Sequence, residues 1–227
     1  RKCSEAKGIS ATRLRPQVAP VVLPVKLKAE TKPILASGSS APVEKAQLAT
    51  IKQTEIQGVS DWIVAIGTST GGPRALQEVL TRLPGNLPCP TIVVQHMPPG
   101  FTRSLAERLN SLCELTVKEA EDNEKLMPGT VYVAPGNYHL TLRKDSSGTY
   151  IKLNQDPAIG GLRPAVDPMM TSVSETFGAK TVAVILTGMG HDGAKGMVAI
   201  KKTKGLTIAE DQSTAVVFGM PKAAIDA

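Results

Sequence analysis

A serine, a histidine and an aspartate each follow an apolar run in this sequence. Ser69 lies in GTSTGGP after WIVAI, His96 follows TIVVQ, and Asp192 lies in GMGHDG after TVAVILT. These are the residue types of an activated nucleophile, its general base and the carboxylate that orients the base. Because reactive groups collect outside the carboxyl ends of parallel strands, we expect the three to meet at one edge of a sheet.

The glycine-rich turn around Ser69 has two interpretations. Residues 67–71 fit G-x-S-x-G, the strand-to-helix turn that exposes a nucleophilic serine, but a phosphate-binding turn also joins a strand to a helix. The phosphate interpretation lacks the Gly-Lys-Ser/Thr of a P-loop, since Pro73 follows Gly72, and the next strand does not end in an acid. The sequence therefore favours Ser69 as a nucleophile. The alternative is a tight turn in which Ser69 only caps the helix.

The other candidate bases and acids have structural explanations. His139 lies in a hairpin-like region, where we expect a structural or rim role, and His191 is expected to be exposed. Asp61 precedes its strand and therefore belongs to the opposite edge of the sheet. Asp167, followed by proline, is explained as a helix N-cap, and Asp192 could also be only a cap. The dispersed histidines and the lack of a cysteine cluster predict no metal site.

Alternating strand-like and helix-like segments predict an α/β fold. The predicted strands include WIVAI, TIVVQ, TVAVILT and LTIAE, and the predicted helices include PRALQEVLTRL, FTRSLAERLNSL and AKGMVAIKKTK. In the second helix the expected apolar face is Phe101, Leu105, Leu109 and Leu112. This order is typical of a doubly wound, mostly parallel sheet with helices on both faces. The turn residues 145–148, within alternating segments, predict an inserted β-hairpin.

Residues 1–60 differ in composition from the rest of the chain. They carry 10 Lys/Arg and 4 Asp/Glu, whereas residues 61–227 carry 16 of each. Their prolines and the SGSSAP stretch predict a basic, flexible inter-domain linker, followed by a catalytic domain over 61–227. Because that domain carries no net charge and aromatic residues are only 3% of the sequence, we expect no nucleic-acid binding.

Cysteine usage and hydropathy indicate a cytoplasmic protein. The three cysteines form no C-x-x-C pair, so we expect reduced thiols. No run approaches the roughly 18 apolar residues that span a bilayer, so membrane insertion is not expected. The sequence starts without methionine and ends inside a predicted helix at PKAAIDA, which indicates a piece of a longer protein with a truncated C-terminus.

Taken together, the three strand-end motifs resemble a known family. AIGTSTGGP, VVQHMPPGFT and VILTGMGHDGAKGM are similar to the catalytic domain of CheB-type protein-glutamate methylesterases of bacterial chemotaxis. Further similar stretches are MPGTVYVAPGNYHL, GLRPAVDPMM and DQSTAVVFGMPKAAI. The resemblance extends over roughly residues 60–227, the whole ordered-looking part of the sequence.

The resemblance implies a role for each strand-end residue. It places the nucleophile at Ser69, the base at His96 and the orienting acid at Asp192, with an oxyanion hole made by the backbone N–H groups of Thr70 and Met189. The implied activity is hydrolysis of glutamate methyl esters on chemoreceptors, with deamidation of receptor glutamines, through an acyl-enzyme and without a cofactor.

The resemblance also implies partners and a missing domain. The substrate is the cytoplasmic helical bundle of a chemoreceptor, for which Phe101, Arg74 and Arg163 are candidate contacts at an open, shallow site. A phosphoacceptor receiver domain, absent here, and a histidine kinase regulate the parent protein, and we expect a monomer. Two alternatives stay open, namely an anion-binding module at the glycine-rich turn and an adaptor that uses residues 1–60 as a basic tether.

Overall fold

A computed structural model describes residues 61–227 of the chain. The predictions made for residues 1–60 therefore lie outside the described residues. In the described part, no helix is both long and apolar enough to cross a bilayer.

Eight strands and five α-helices make up the described fold. The strands are β1 (Ile63–Thr68), β2 (Thr91–Gln95), β3 (Thr116–Glu119), β4 (Thr130–Val133), β5 (His139–Asp145), β6 (Gly148–Asn154), β7 (Thr181–Ile185) and β8 (Leu206–Ala209). The helices are α1 (Gly72–Leu80), α2 (Phe101–Asn110), α3 (Val166–Phe177), α4 (Ala194–Lys202) and α5 (Gly219–Asp226), with a 3-10 turn at Gly178–Lys180.

Six of the strands form one parallel sheet in the order β3-β4-β2-β1-β7-β8. From β1 the chain adds β2, β3 and β4 on one side of β1. It then crosses to the other side of β1 and adds β7 and β8. The strand order therefore reverses beside β1, and open α/β sheets bind ligands at such a switch point. Thr68 pairs with Gln95 and Gly67 with Ile185, so the turns after β1, β2 and β7 leave one edge side by side.

Each face of the sheet is covered by its own helices. On one face, α1 and α2 bury a leucine-rich stripe against the sheet, which includes Leu76, Leu80, Leu105 and Leu109. On the other face, α3, α4 and α5 pack over the sheet, and the antiparallel β5–β6 hairpin packs against α3. Burial of apolar side chains on both faces stabilises the sheet and holds in place the turns at the carboxyl ends of its strands.

The observed architecture confirms the predicted α/β class, the parallel sheet, the helices on both faces and the hairpin turn at 145–148. Two local predictions are wrong, the start of α3 and the apolar face of α2. Helix α3 begins at Val166 with Ala165 as its N-cap, not at Pro168 with Asp167 as the cap. Phe101 does not share the buried face of α2, since it is 65% exposed at the helix's first position.

Leu112 is also outside the helix that was predicted to bury it. Helix α2 ends at Asn110, and Leu112 lies in the turn that follows, 47% exposed. The buried stripe of this helix is therefore shorter than the sequence pattern indicates, with Leu105 and Leu109 as its two leucines.

Candidate active site

Ser69 is the first residue after β1, in a turn that leads directly into α1. Its amide donates to the carbonyl of Thr187 in the loop after β7, with a nitrogen–oxygen distance of 3.0 Å. Its own carbonyl accepts the amide of Gly72 at 2.8 Å. Gly71 has φ of 85°, the left-handed region that glycine tolerates best, so the chain can reverse sharply within this turn. The serine is half-buried and lies at the sheet edge.

Gln95, at the end of β2, joins the turn of Ser69 to that of His96. Its side-chain Nε2 donates to the Ser69 carbonyl at 2.9 Å and to the His96 carbonyl at 3.1 Å. The side chain is only 2% exposed. The His96 amide also donates to the Thr68 carbonyl at 3.1 Å. The predicted nucleophile and the predicted base are therefore attached to one another through backbone and a single buried amide.

His96 and Asp192 are in direct contact. The imidazole Nε2 lies 2.7 Å from Asp192 Oδ2, and the two side chains are 6% and 8% exposed. An ionised carboxylate accepts only, so Nε2 carries the proton and Nδ1 is the basic nitrogen. Among residues 61–227 no hydrogen bond joins the imidazole to the Ser69 hydroxyl, and such a bond often tightens only when substrate is present.

Asp192 is held by the first turn of α3 as well as by the histidine. Its Oδ2 accepts the Val166 amide at 2.6 Å, and its Oδ1 accepts the Asp167 amide at 3.0 Å. Burial raises the pKa of Asp192, but the hydrogen bonds from His96 and these two amides outweigh it and leave the pKa below its ordinary value. The carboxylate therefore stays ionised at the positive end of a helix.

The loop after β7 runs beside the serine. A Cβ built on Gly188 would lie 2.9 Å from Ser69 Cβ, so only glycine permits this approach. The next residue, Met189, is 76% exposed. Within the described chain, neither the Met189 amide nor the Thr70 amide donates to a protein acceptor. The free N–H of Thr70 follows the serine in sequence, and the free N–H of Met189 follows Gly188, which packs against the serine.

The start of α1 is poorly suited to a phosphate. The Gly72 amide already donates to the Ser69 carbonyl at 2.8 Å, and Pro73 has no N–H. A helix N-terminus binds anions through several free amides, and this one has lost two. The geometry therefore adds to the sequence argument against an anion-binding module.

The three candidate substrate contacts are placed differently. Phe101 is exposed at the start of α2, in the turn region that follows His96. Arg74 is exposed and lines a cavity of about 670 Å³ between α1 and β8 that reaches Gly71 beside the serine. Arg163 is anchored rather than free, since its guanidinium donates to Asn137 Oδ1 and to two backbone carbonyls.

The remaining histidines lie apart from this contact. His139 is 2% exposed, and its Nδ1 accepts the Ala165 amide at 3.2 Å, while Nε2 lies 3.4 Å from the Pro157 carbonyl. His191 is exposed. In the part of the chain that the structure describes, no group of three or more His, Cys, Asp or Glu side chains could hold a metal ion.

Two supporting residues were missed by reasoning from sequence. Gln95 is the last residue of the predicted strand TIVVQ. The signal for a second role is a polar side chain at the end of an apolar run, because a buried polar group needs hydrogen-bond partners. Asp167 reads as a local helix cap, whereas its Oδ1 accepts the amides of Gly193 and Gly196 at the start of a different helix. No local pattern identifies that partner, because the two segments are about 26 residues apart.

Comparison with known proteins gives consistent matches. The family model for CheB methylesterase matches residues 64–227. A protein-glutamate methylesterase/protein-glutamine glutaminase 1 of Syntrophomonas wolfei subsp. wolfei is 56% identical over 168 residues, 72% of this chain and 48% of that relative. A protein-glutamate methylesterase/protein-glutamine glutaminase of Archaeoglobus fulgidus is 48% identical over 198 residues, 85% of this chain and 57% of that relative.

A solved structure is also similar. The crystal structure of the Thermotoga maritima CheB methylesterase catalytic domain has a TM-score of 0.73 and 54% identity, covering 74% of this chain and 89% of that one. The chain spans about half the length of the curated relatives it matches, 48% and 49% in two cases.

Proposed function

The chain belongs to the CheB methylesterase family, and from that premise we propose that it hydrolyses glutamate methyl esters on chemoreceptors with Ser69 as nucleophile. His96 is the general base and Asp192 orients it. The proposal rests chiefly on one observation, the 2.7 Å contact between His96 Nε2 and Asp192 at the sheet edge where Ser69 also emerges.

Strand register supports the assignment of the nucleophile. Thr68 and Gln95 are opposite one another, so the next residues, Ser69 and His96, leave neighbouring strands at the same level. Adjacent parallel strands lie about 4.8 Å apart, which is within reach of two side chains. With Nε2 bonded to Asp192, Nδ1 is the nitrogen that accepts the serine proton.

The reaction proceeds in two halves. His96 takes the proton of the Ser69 hydroxyl as Oγ attacks the ester carbonyl, which gives a tetrahedral intermediate with a negatively charged oxygen. The intermediate collapses as the imidazolium returns the proton to the leaving methanol, leaving a glutamyl ester on the serine. Water, deprotonated by the same imidazole, then attacks this acyl-enzyme and releases the glutamate carboxylate and the free serine.

Two backbone groups stabilise the intermediate. The free amides of Thr70 and Met189 donate to the oxyanion, and in comparable sites one such donor contributes about 3 kcal/mol. Deamidation follows the same course, because a glutamine side chain attacked by Ser69 loses ammonia instead of methanol and gives the same acyl-enzyme. The exposure of Met189 fits an open site that a glutamate on a helix surface can reach.

The partners follow from the proposed substrate. The helical cytoplasmic bundle of a methyl-accepting chemoreceptor presents the ester, with Phe101 and Arg74 as exposed candidate contacts. Arg163 is a weaker candidate because four hydrogen bonds already engage it. A receiver domain and a histidine kinase regulate the longer parent protein.

Methanol release from a receptor labelled on its glutamate methyl groups tests the proposal. We expect Ser69→Ala to reduce release by several orders of magnitude without loss of fold. Ser111→Ala is the matched control, since Ser111 is an exposed serine whose hydroxyl only donates to the Arg108 carbonyl at 2.7 Å. Undiminished release by the Ser69 variant would reject the serine mechanism.

A further inference from the structure

Asp167 is a carboxylate beside the proposed site that the mechanism above does not use. It lies in the first turn of α3, partly buried, two residues after the N-cap of that helix. Burial raises the pKa of Asp167, and the charge of Asp192 adds to this effect against the hydrogen bonds from Gly196 and Gly193. Burial removes hydration from this carboxylate and disfavours its charged form, so its position needs a structural or functional reason.

The first turns of α3 and α4 exchange their capping carboxylates. Asp192, which immediately precedes the N-cap of α4, accepts the Val166 and Asp167 amides at the start of α3. Asp167, in α3, accepts the Gly193 and Gly196 amides at the start of α4, at 3.0 and 2.9 Å. Each carboxylate therefore satisfies amides of the other helix and not of its own.

These four hydrogen bonds join the start of α3 to the start of α4 on both sides of Asp192, the residue that contacts His96. Asp192 cannot move away from α3 without breaking a further hydrogen bond, because the amide of the adjoining Gly193 is bonded to Asp167 in that helix. The backbone there has little freedom of its own, since a Cβ on Gly193 would lie 2.6 Å from Ile185 Cδ1. We propose that Asp167 is a positioning residue for catalysis, which fixes the Asp192 carboxylate against His96 by capping the helix that carries Asp192.

The proposal rests on the proposed serine mechanism and adds to it a residue that contacts no substrate. A plain helix cap would contribute to stability only, by ordering the start of α4. A positioning residue affects turnover as well, because a displacement of about 1 Å within a catalytic group can lower the rate about 100-fold. The two roles therefore differ in what happens to the folded molecules of a variant.

Two variants and one control test the proposal on a small methyl ester and on labelled receptor. Asp167→Ala should lower kcat about 10- to 100-fold per folded molecule, with little change in KM. Asp167→Asn keeps an oxygen for the two amides, so most of kcat should remain. Glu175→Ala, at an exposed position of the same helix, should match the parent chain in both measurements.

The possible results separate this inference from the proposed function. If Asp167→Ala loses only stability and keeps the parent kcat per folded molecule, Asp167 is a structural cap and the inference is wrong. A loss of kcat in Asp167→Asn as large as that in Asp167→Ala would also overturn it, because the oxygen that accepts the two amides is still present in the asparagine. Absence of ester hydrolysis in the parent chain would instead reject the proposed function.

Discussion

Replacing Gln95 with methionine should lower activity far more than stability. Gln95 Nε2 donates to the Ser69 and His96 carbonyls at 2.9 and 3.1 Å, and so links the turns of the nucleophile and the base. Methionine has nearly the same length and flexibility but no amide, so it fills the buried space and removes both hydrogen bonds. The two turns would then be joined only by backbone.

The expected loss of stability is small because two effects oppose each other. Each lost hydrogen bond contributes about 1 kcal/mol net, which gives about 2 kcal/mol for the pair. Against this, Gln95 Oε1 is buried, and among the described residues no group donates to it. Removing an unpartnered buried acceptor recovers about 1–3 kcal/mol, so the net change in the free energy of unfolding should lie within about 1 kcal/mol.

The expected loss of activity is larger, about 10- to 100-fold in kcat, because Ser69 and His96 would no longer be held at a fixed separation. Urea denaturation and hydrolysis of a small methyl ester measure the two quantities on the same preparation. Gln77→Met is the control, since it removes a glutamine amide from α1 whose oxygen only accepts from Arg108 at 3.0 Å. Full activity in the Gln95 variant, or a loss explained by unfolding alone, would refute the reasoning.

Two further predictions concern the hairpin and the start of α4. The pKa of Asp145 is about 2 instead of 3.8, chiefly because the hydroxyl and then the amide of Ser147 donate hydrogen bonds to the carboxylate. The ionised Asp145 therefore stabilises the fold above pH 3.8, and this stabilisation is lost as the pH falls towards 2. Asp145→Asn should flatten the pH dependence of the free energy of unfolding in that range. Gly193→Ala should destabilise the fold by about 1–3 kcal/mol in urea denaturation, since φ is 96° and the new Cβ would lie 2.6 Å from Ile185 Cδ1. Gly160→Ala, at φ of 57° with nothing within 4 Å, should show strain alone and a smaller loss; equal losses would contradict this packing argument.

The edge of the sheet that carries the candidate site could be predicted because its signals are local. Short β-branched runs ending in GTSTGGP, HMPPG and GMGHDG identify strands and the turns that follow them. Parallel winding then brings the three turns to one edge, as the pairing of Thr68 with Gln95 and of Gly67 with Ile185 records.

The supports of the site could not be predicted because they act between distant segments. Asp167 followed by proline has the composition of an N-cap, yet the helix begins two residues earlier than predicted, at Val166, and the carboxylate caps α4 instead. Phe101 fits a helical apolar stripe by spacing, yet as the first residue of α2 it projects beyond the packed core. Both errors arise at helix starts, where residue spacing alone does not fix the boundary of the helix.

The central claim is that Ser69 forms a covalent bond with the substrate after activation by His96. Labelling with a fluorophosphonate, which reacts with activated serine hydroxyls, followed by mass spectrometry of the peptides tests it directly on a chain that releases methanol from an ester. We expect one label per chain, on Ser69, and labelling at least about 100-fold slower in His96→Ala because the base is lost. Label on another residue, or no label on a chain that hydrolyses the ester, would contradict the account.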